Sequence, residues 1–286
     1  MKNKFYLIEL FCSICRHYDT TLKHIVQRFS NNNSPKFSDT ECITICIFWM
    51  KCGVLQLNEI HNLTKEFFSD WFPALPSYQK FVKRVQYLAP AFEYLVVLLS
   101  QEKFQYEKIN YVLDSMPIVV AKGCRSQKAK VANDICDKGY CGSKKIFYYG
   151  VKLHCIAIKR FKTLPKPQNV WVTKASENDI TTAKEMITCA ENADIYADKA
   201  YANASWNKQL SLNNVRVITP IKLKKGQKEH GFFTKLYNKM VSSARQAIEQ
   251  FFSWIQLKTK IHNASLVRSS AGLLSFIFLR IASVLI

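Results

Sequence analysis

The chain has 286 residues, and 48% of them are hydrophobic, which excludes a chain without a folded core and allows one large domain or two smaller ones. Its formal net charge is +20 and its pI is near 9.5, a balance that favours a polyanionic partner, nucleic acid before membrane. The charge is uneven, because residues 1–105 carry 12 Lys and Arg against 9 Asp and Glu, whereas residues 106–286 carry 29 against 12. We therefore expect most phosphate contacts in the second part of the chain.

Short helical patterns joined by short turns fill the N-terminal part of the chain. An amphipathic pattern predicts a helix over residues 5–28, and the capping box from Ser38 to Glu41 predicts the start of a second one. Further helices are predicted over residues 55–68, 78–88 and 91–104. Two interpretations of this module stay open. It is a helix-turn-helix that binds DNA through residues 78–88, or a bundle that packs on the rest of the protein or mediates dimerisation.

The cysteines and the chain ends bear on the cellular compartment. The ten cysteines are scattered, and the Cys12–Cys15 pair lacks the second pair of ligands that a structural zinc site needs. We expect reduced thiols in a cytoplasmic protein. Glu9 interrupts the first apolar run, so no signal peptide is expected. The apolar run at residues 273–286 contains Arg280 and predicts a packed helix, with no membrane anchor.

A single carboxylate lies within a predicted core strand. The stretch Tyr111–Val120 is apolar and rich in β-branched residues, which predicts a buried strand with Asp114 in its middle. Aspartate is depleted in strands, and a buried charge is costly unless it is paired or binds a metal. At this point Asp114 has two interpretations, a structural aspartate with satisfied hydrogen bonds or a functional carboxylate.

Basic segments follow this strand. Residues 122–145 combine glycines with many lysines, which predicts a flexible loop that orders on a DNA backbone. Strands are predicted over residues 145–159 and 170–173, and a second basic segment lies at residues 220–231. A merely solvated loop is the alternative interpretation of both basic segments.

Two further carboxylates lie on later elements. The stretch Asp194–Asp198 predicts a short strand that ends at Asp198, a position at which open α/β sheets place functional groups. Apolar residues at three- and four-residue steps then predict an amphipathic helix on which Arg245 and Glu249 share one face. An ordinary intrahelical ion pair is the alternative interpretation of these two residues.

The order of elements in the second part predicts an α/β fold, a mixed sheet flanked by helices and preceded by an all-helical N-terminal domain. The predicted domains are residues 1–105 and 106–286. Convergence of Asp114, Asp198 and Glu249 on one point would cause mutual repulsion, which a divalent cation removes. Oxygen ligands suit Mg²⁺ or Mn²⁺, and two such ions serve phosphodiester chemistry.

Four motifs carry a resemblance to a known family: Leu113–Pro117, Tyr149–His154, Ala197–Tyr201 and Arg245-x-x-x-Glu249. Together they resemble a bacterial insertion-sequence transposase of the DDE type, a group with an RNase H-like catalytic core. The resemblance covers roughly residues 106–286. It implies that Asp114, Asp198 and Glu249 are the catalytic residues and bind two Mg²⁺ or Mn²⁺ ions.

The resemblance also implies a reaction and its partners. The enzyme would cut the ends of the element, and the freed 3′-hydroxyl would attack target DNA in line. The implied partners are the terminal repeats, the target DNA and a second copy of the chain, on the nucleoid of a bacterial cell. Many members of the family that the chain resembles carry a tyrosine and a lysine at the positions of Ser242 and Gln256. Because Lys258 follows two residues later, its role stays open.

The remaining predicted functional side chains would contact DNA, with Arg245 either orienting Glu249 or binding phosphate. Two alternatives to a transposase stay open, a metal-dependent nuclease of the same fold and a catalytically decayed DNA-binding protein. The predicted DNA contacts are Lys122, Arg125, Lys128, Lys130, Lys144, Lys145, Lys152, Lys199, Lys222, Lys224, Lys225, Arg245 and Lys258.

Overall fold

A six-stranded sheet organises the second part of the chain. The structure, a computed structural model, describes residues 4–29, 35–100, 109–142, 145–187, 190–223, 226–227 and 229–286. The strands are β1 Ile109–Lys122, β2 Asp137–Cys141, β3 Ile146–Ile158, β4 Lys166–Lys174, β5 Ala193–Tyr196 and β6 Val215–Ile218. Their order is β2-β3-β1-β5-β6, and β4 pairs with β3 as well.

Strand β1 lies in the middle of this sheet and has a different kind of neighbour on each side. It runs antiparallel to β3, with Asp114 opposite Cys155, and parallel to β5, with Val112 opposite Tyr196. Strand β6 extends the parallel side, whereas β2 and β4 pair with successive parts of β3. The predicted fold class, a mixed sheet flanked by helices after a helical N-terminal region, is confirmed.

The helices account for most of the remaining described residues. Shorter turns of other helical types lie at Tyr18–Leu22, Lys199–Tyr201 and Ser211–Asn213. The α-helices are α1 Lys4–His17, α2 Lys23–Ile25, α3 Asp39–Lys51, α4 Leu57–Phe67, α5 Tyr78–Tyr87, α6 Ala89–Ser100, α7 Cys124–Lys128, α8 Asp179–Met186, α9 Ala204–Leu210, α10 Phe232–Thr259 and α11 Ser270–Leu285.

An apolar cluster on one face of the sheet fixes the strands that carry the candidate site. Leu113 on β1 and Ile195 on β5 are fully buried in it, together with Trp206 on α9. Burying a large apolar side chain contributes about 1.5–3 kcal/mol, so this cluster holds the central strands firmly. Because successive side chains of a strand point to opposite faces, Asp114 lies on the face opposite Leu113.

The prediction of a flexible loop over residues 122–145 is wrong, because this segment contains α7 and β2. The Ser126 hydroxyl donates to the Gly123 carbonyl at 2.7 Å and closes the first turn of α7. Gly139 on β2 lies so close to Ala175 that an added Cβ would come within 2.7 Å of its side chain. A five-residue strand with little apolar content gives no clear periodic signal, which is why the sequence pattern missed β2.

The described residues group into two compact units, one of residues 1–99 and 257–286 and one of residues 100–256. The helical unit therefore includes the C-terminal residues as well as the N-terminal ones. The domain boundary at residue 105 stays a prediction, since residues 101–108 lie outside the described part of the chain.

In the helical unit, α3 begins with the predicted capping box. The Glu41 N–H donates to the Ser38 hydroxyl at 3.1 Å, and the Ser38 N–H donates to the Glu41 carboxylate at 2.6 Å. The single helix predicted over residues 5–28 is interrupted by the turn Tyr18–Leu22, which is π-helical. There the Thr20 hydroxyl donates to the Arg16 carbonyl, a competition with the backbone that disturbs helices.

Asp39, the first residue of α3, is the centre of a buried ionic cluster, which we call the Asp39 cluster. The Asp39 side chain is 1% exposed and accepts two hydrogen bonds from Arg28 at 2.6 Å each. Arg84 donates to it at 3.0 Å, and the Tyr18 hydroxyl at 2.8 Å. Arg84 lies on the predicted recognition helix, so at least this basic residue of α5 serves the structure.

Helix α11 confirms the prediction of a packed terminal helix. Arg280 is buried in it and donates to the carbonyls of Thr259, Phe276 and Leu55. Burial lowers the pKa of this guanidinium to about 9. Among the residues that the structure describes, no helix combines the length and the apolarity needed to cross a membrane.

Candidate active site

Three carboxylates and one guanidinium meet at the edge of β1, β5 and α10, and we call this group the carboxylate site. Arg245 Nη2 lies 3.3 Å from Asp114 Oδ2 and 3.5 Å from Glu249 Oε1. Arg245 Nη1 lies 3.5 Å from Asp198 Oδ1. The structure thus brings together the three predicted catalytic carboxylates, which are far apart in sequence, around a single cation.

The sheet register explains why the two aspartates meet. Strands β1 and β5 are parallel, with Val112 opposite Tyr196, so that Asp114 and Asp198 each follow two residues later. Strand β5 has already ended at Tyr196, which leaves Asp198 at the carboxyl edge of the sheet. Parallel strands of α/β sheets commonly present functional groups at this edge.

Helix α10 supplies the other two groups because one of its faces is apolar. Val241 and Ile248 are fully buried, and Arg245 and Glu249 follow at helical spacing beside them. Leu236 and Met240, which belong to the predicted apolar stripe, are more than half exposed. The buried part of the stripe therefore begins near Val241, directly before the residues that reach the site.

The site is open to solvent on one side, and its charges are unequal. The side chain of Asp114 is 21% exposed, that of Asp198 is 46% exposed and that of Glu249 is 58% exposed, whereas Arg245 is 13% exposed. One guanidinium faces three carboxylates, so the ionised group retains an excess of negative charge. Such an excess attracts a further cation from solution.

The environment of Asp114 disfavours its charged form. Burial raises the pKa of this carboxyl from 3.8 to about 6, and the neighbouring charges of Asp198 and Glu249 act in the same direction. The Ser115 N–H, which donates to Asp114 Oδ1 at 2.8 Å, and the Arg245 guanidinium both oppose the rise. A carboxyl with a raised pKa beside charged partners in an open cleft is typical of a functional site.

The donor chemistry of the site fits a hard divalent cation, since all three candidate ligands are carboxylates. Within the described ranges, no group of three or more His, Cys, Asp or Glu side chains is arranged to hold a metal ion. Each of the three carboxylates lies against the Arg245 guanidinium instead.

Sequence reasoning missed two features of the site. The Arg245–Glu249 spacing predicted a contact within the helix, but the contacts of Arg245 with Asp114 and Asp198 depend on the tertiary fold. Gln256, one of the two positions at which the chain departs from the resemblance, donates an N–H of its side-chain amide to Met116 Sδ at 3.4 Å. This contact places Gln256 beside β1, because Met116 follows Asp114 by two residues on that strand.

Tyr201 is a further neighbour of the site, and no sequence pattern marks it beyond its place in the Ala197–Tyr201 motif. It is 1% exposed. Burial raises the pKa of its hydroxyl well above the usual range, and the charges of Asp179, Asp114 and Asp198 raise it further. The hydroxyl therefore stays protonated and available as a hydrogen-bond donor.

The predicted DNA contacts fall into four groups. Arg245 lies in the carboxylate site, where its side chain is 13% exposed. Lys152 is tied to Asp179 at 2.9 Å and to the Glu177 carbonyl at 2.7 Å, so its ammonium already has partners within the protein. Lys144, Lys224 and Lys225 lie outside the described residues. The exposed side chains are Lys122, Arg125, Lys128, Lys130, Lys145, Lys199, Lys222 and Lys258.

Comparisons with known proteins place the chain in a family. The family model described as the transposase DDE domain matches residues 103–267, which is more than half of the chain. The chain belongs to this family. Its matched region contains the whole carboxylate site, so Asp114, Asp198 and Glu249 lie within the transposase DDE domain.

A solved structure is similar to this DDE domain protein at a low level. The Drosophila P element transposase strand transfer complex matches with a TM-score of 0.30 and 13% identity, over 74% of this chain and 47% of that chain. The present chain thus spans about half the length of the protein that it matches. A comparison with curated proteins gives no match.

Proposed function

We propose that this protein is a DNA transposase that cuts the ends of an insertion sequence and joins the freed 3′-hydroxyl to target DNA. The convergence of Asp114, Asp198 and Glu249 on one cation carries this proposal, because the family match alone does not say which residues act. Three carboxylates at the solvent-exposed edge of a sheet have no role in the core. Their chemistry suits the binding of divalent cations.

In this proposal the three carboxylates hold two Mg²⁺ or Mn²⁺ ions, with Asp114 shared between them. When bound, such ions activate an attacking oxygen and stabilise a leaving oxygen in phosphodiester transfer. The Ser115 N–H fixes Asp114 Oδ1, and Oδ2, which faces the Arg245 guanidinium, would be the oxygen that binds a cation. Asp198 and Glu249 are the more exposed partners, so they face the side from which DNA approaches.

Arg245 has two successive roles in the proposal. Without metal it neutralises part of the carboxylate charge and keeps the three side chains together. With a divalent cation bound, the guanidinium would be available to a phosphate of the DNA strand, for which its planar geometry is suited.

The exposed basic side chains supply the remaining contacts with DNA. Eight of the predicted residues are described and exposed, and each phosphate that they neutralise releases counterions. We include the homodimer in the proposal, because two ends of one element must be processed together. The bacterial insertion-sequence origin and the nucleoid location belong to the same proposal.

The test is cleavage of a labelled duplex that carries the DNA ends flanking this coding sequence, in Mg²⁺ or Mn²⁺. Wild type should leave 3′-hydroxyl ends and join them to a second DNA, and Glu249→Gln should lose both steps by about 10²-fold or more. Glu191→Gln, which removes an exposed acid of the same unit, is the matched control.

Each other outcome of this assay has a definite meaning. Cleavage without joining identifies a nuclease, and DNA binding without cleavage identifies a decayed element. Equal cleavage by wild type and Glu249→Gln contradicts the assignment of Glu249 and leaves it as a surface ion-pair partner.

A further inference from the structure

A basic groove lies beside the far end of β1, and nothing in the proposed reaction uses its shape. It has a volume of about 1170 Å³ and lies between the end of β1, helix α7 and the β2–β3 hairpin. Lys122, Lys128 and Lys138 line it, and none of its described lining residues is acidic. All three lysines are exposed, so the groove presents a concentrated positive charge.

One exposed aromatic ring lines this groove, and a second lies beside it. Phe147 lines it and is 71% exposed, and Tyr140, directly opposite on the neighbouring strand, is 52% exposed. Their ring centroids are 4.9 Å apart. An aromatic side chain that stays in water does not contribute the stabilising free energy that its burial would provide. Two such rings beside three lysines indicate a surface that a ligand covers.

The backbone around the rings is held in place by close packing. An added Cβ at Gly139 would lie 2.7 Å from Ala175, and one at Gly150 would lie 2.1 Å from the Ile118 carbonyl oxygen. These close approaches show that β2 packs tightly against Ala175 and that β3 packs tightly against β1. Binding to a surface that is already ordered loses less conformational entropy.

The groove and the carboxylate site lie within reach of one DNA strand. Lys122 follows Asp114 by eight residues on β1, which corresponds to roughly 26 Å at about 3.3 Å per residue. A DNA strand advances about 3.4 Å per nucleotide in a duplex, so about eight nucleotides cover this distance. Both sites belong to the same compact unit.

We infer that this groove binds a single-stranded segment of DNA, with its phosphates on Lys122, Lys128 and Lys138 and an unpaired base stacked on Phe147. Lysines alone would suffice for the backbone of a duplex. The exposed face of Phe147 adds a platform that a paired base cannot use, because its faces are covered by its neighbours in the stack. The inference rests on the proposed action on DNA and adds which form of DNA this surface recognises.

The experiment measures binding of a fluorescent 20-nucleotide single strand and of the matching duplex to the full chain, in EDTA so that no cleavage occurs. Phe147→Ala should weaken single-strand binding about tenfold, within the range for loss of one base–aromatic stack. It should leave duplex binding unchanged. Phe147→Trp should restore single-strand binding, and Phe161→Ala, which removes another exposed ring of the same unit, should change neither.

A second measurement does not depend on affinity. Single strands containing 5-iodouracil, irradiated on the wild-type protein, should crosslink at Phe147 or Tyr140, as mapped by mass spectrometry. Crosslinks elsewhere together with unchanged binding by Phe147→Ala overturn the inference.

The remaining outcomes separate this inference from the proposed function. Equal losses for single strand and duplex mean that the groove holds only a backbone, which contradicts stacking. A change of oligomeric state in Phe147→Ala, measured by light scattering, assigns the surface to a second protein copy and also contradicts the inference. If wild type binds neither DNA, the proposed function fails as well, whereas normal cleavage with unchanged single-strand binding in Phe147→Ala rejects the inference alone.

Discussion

The Asp39 cluster and the carboxylate site use the same two side-chain types in opposite proportions. In the first, two arginines and a tyrosine surround one aspartate that is 1% exposed. In the second, one arginine faces three carboxylates, of which Asp198 and Glu249 are about half exposed. The first is a network of charge-assisted hydrogen bonds, whereas the second combines one hydrogen bond, from Arg245 to Asp114, with two ion pairs at 3.5 Å.

The difference between them separates structure from function. The carboxylate of Asp39 is fully neutralised and sealed from water, as a buried charge must be if it is to stabilise a fold. The carboxylate site is under-neutralised and open, so it retains the capacity to bind a further cation. Removing a negative charge should therefore destabilise the Asp39 cluster, whereas at neutral pH it should relieve repulsion in the carboxylate site.

The largest expected effect is the loss of the buried anion. Asp39→Asn leaves the guanidinium groups of Arg28 and Arg84 without a counter-charge and should lower the free energy of unfolding by about 3–5 kcal/mol. Urea unfolding followed by circular dichroism measures this. Asp70→Asn, at an exposed position of the same unit, is the control and should change little. A small effect of Asp39→Asn would remove the contrast between the two regions.

The second effect concerns pH and Asp114. Because its folded pKa of about 6 exceeds the ordinary 3.8, the folded protein binds this proton more tightly than the unfolded chain. The stabilising contribution is complete below pH 3.8 and is lost as the pH rises through about 6, a change of about 3 kcal/mol.

The measurement is the stability of metal-free wild type and Asp114→Asn across this range. Groups outside the carboxylate site are common to both proteins, so the difference between them reports on Asp114 and its interactions with the charges beside it. Wild type should lose stability relative to the variant as the pH rises from 4 to 7. A constant difference would show that Asp114 titrates normally.

The third effect is smaller and depends on metal. Arg245→Gln removes the one cation from the carboxylate site and should destabilise the metal-free protein by about 1–2 kcal/mol. Millimolar Mn²⁺ should restore the stability, because a divalent ion can replace the guanidinium. Thermal unfolding in EDTA and in Mn²⁺ gives the comparison. Failure of Mn²⁺ to restore stability would mean that the carboxylates serve only the ion pairs.

The smallest effect is expected at an ion pair of the sheet. Arg216 Nε and Nη2 donate to the two carboxylate oxygens of Asp194 at 2.8 and 2.9 Å, but the Arg216 side chain is 60% exposed. Solvent screens the Arg216 end of this pair, whereas the Asp194 side chain is 11% exposed. Arg216→Gln should therefore lower the unfolding midpoint slightly, and less than the other variants. A loss as large as that of Asp39→Asn would show that exposure does not decide the strength of these networks.

The sequence identified the three carboxylates because each lies in a segment with its own clear pattern. Asp114 interrupts an apolar run, Asp198 follows a short strand, and Glu249 lies beside an apolar stripe. These are local signals, and the sheet register then brings the segments together. The contact of Arg245 with all three could not be predicted, because it depends on where α10 packs.

Other parts of the fold lacked a local signal. Strand β2 pairs with β3 through the residues Asp137–Cys141, whose composition resembles a loop. The grouping of residues 257–286 with the N-terminal helices depends on long-range packing. The exposed Tyr140–Phe147 pair was missed for the same reason, since only the hairpin register places these rings opposite each other.

The most direct test of the account is the affinity of the protein for Mn²⁺ in the absence of DNA, measured by calorimetric titration. Wild type and the control Asp70→Asn should bind Mn²⁺ with the same affinity, and Asp114→Asn should bind it at least about tenfold more weakly, because a shared ligand is lost. Equal affinities in all three proteins would contradict the claim that these carboxylates form a metal site.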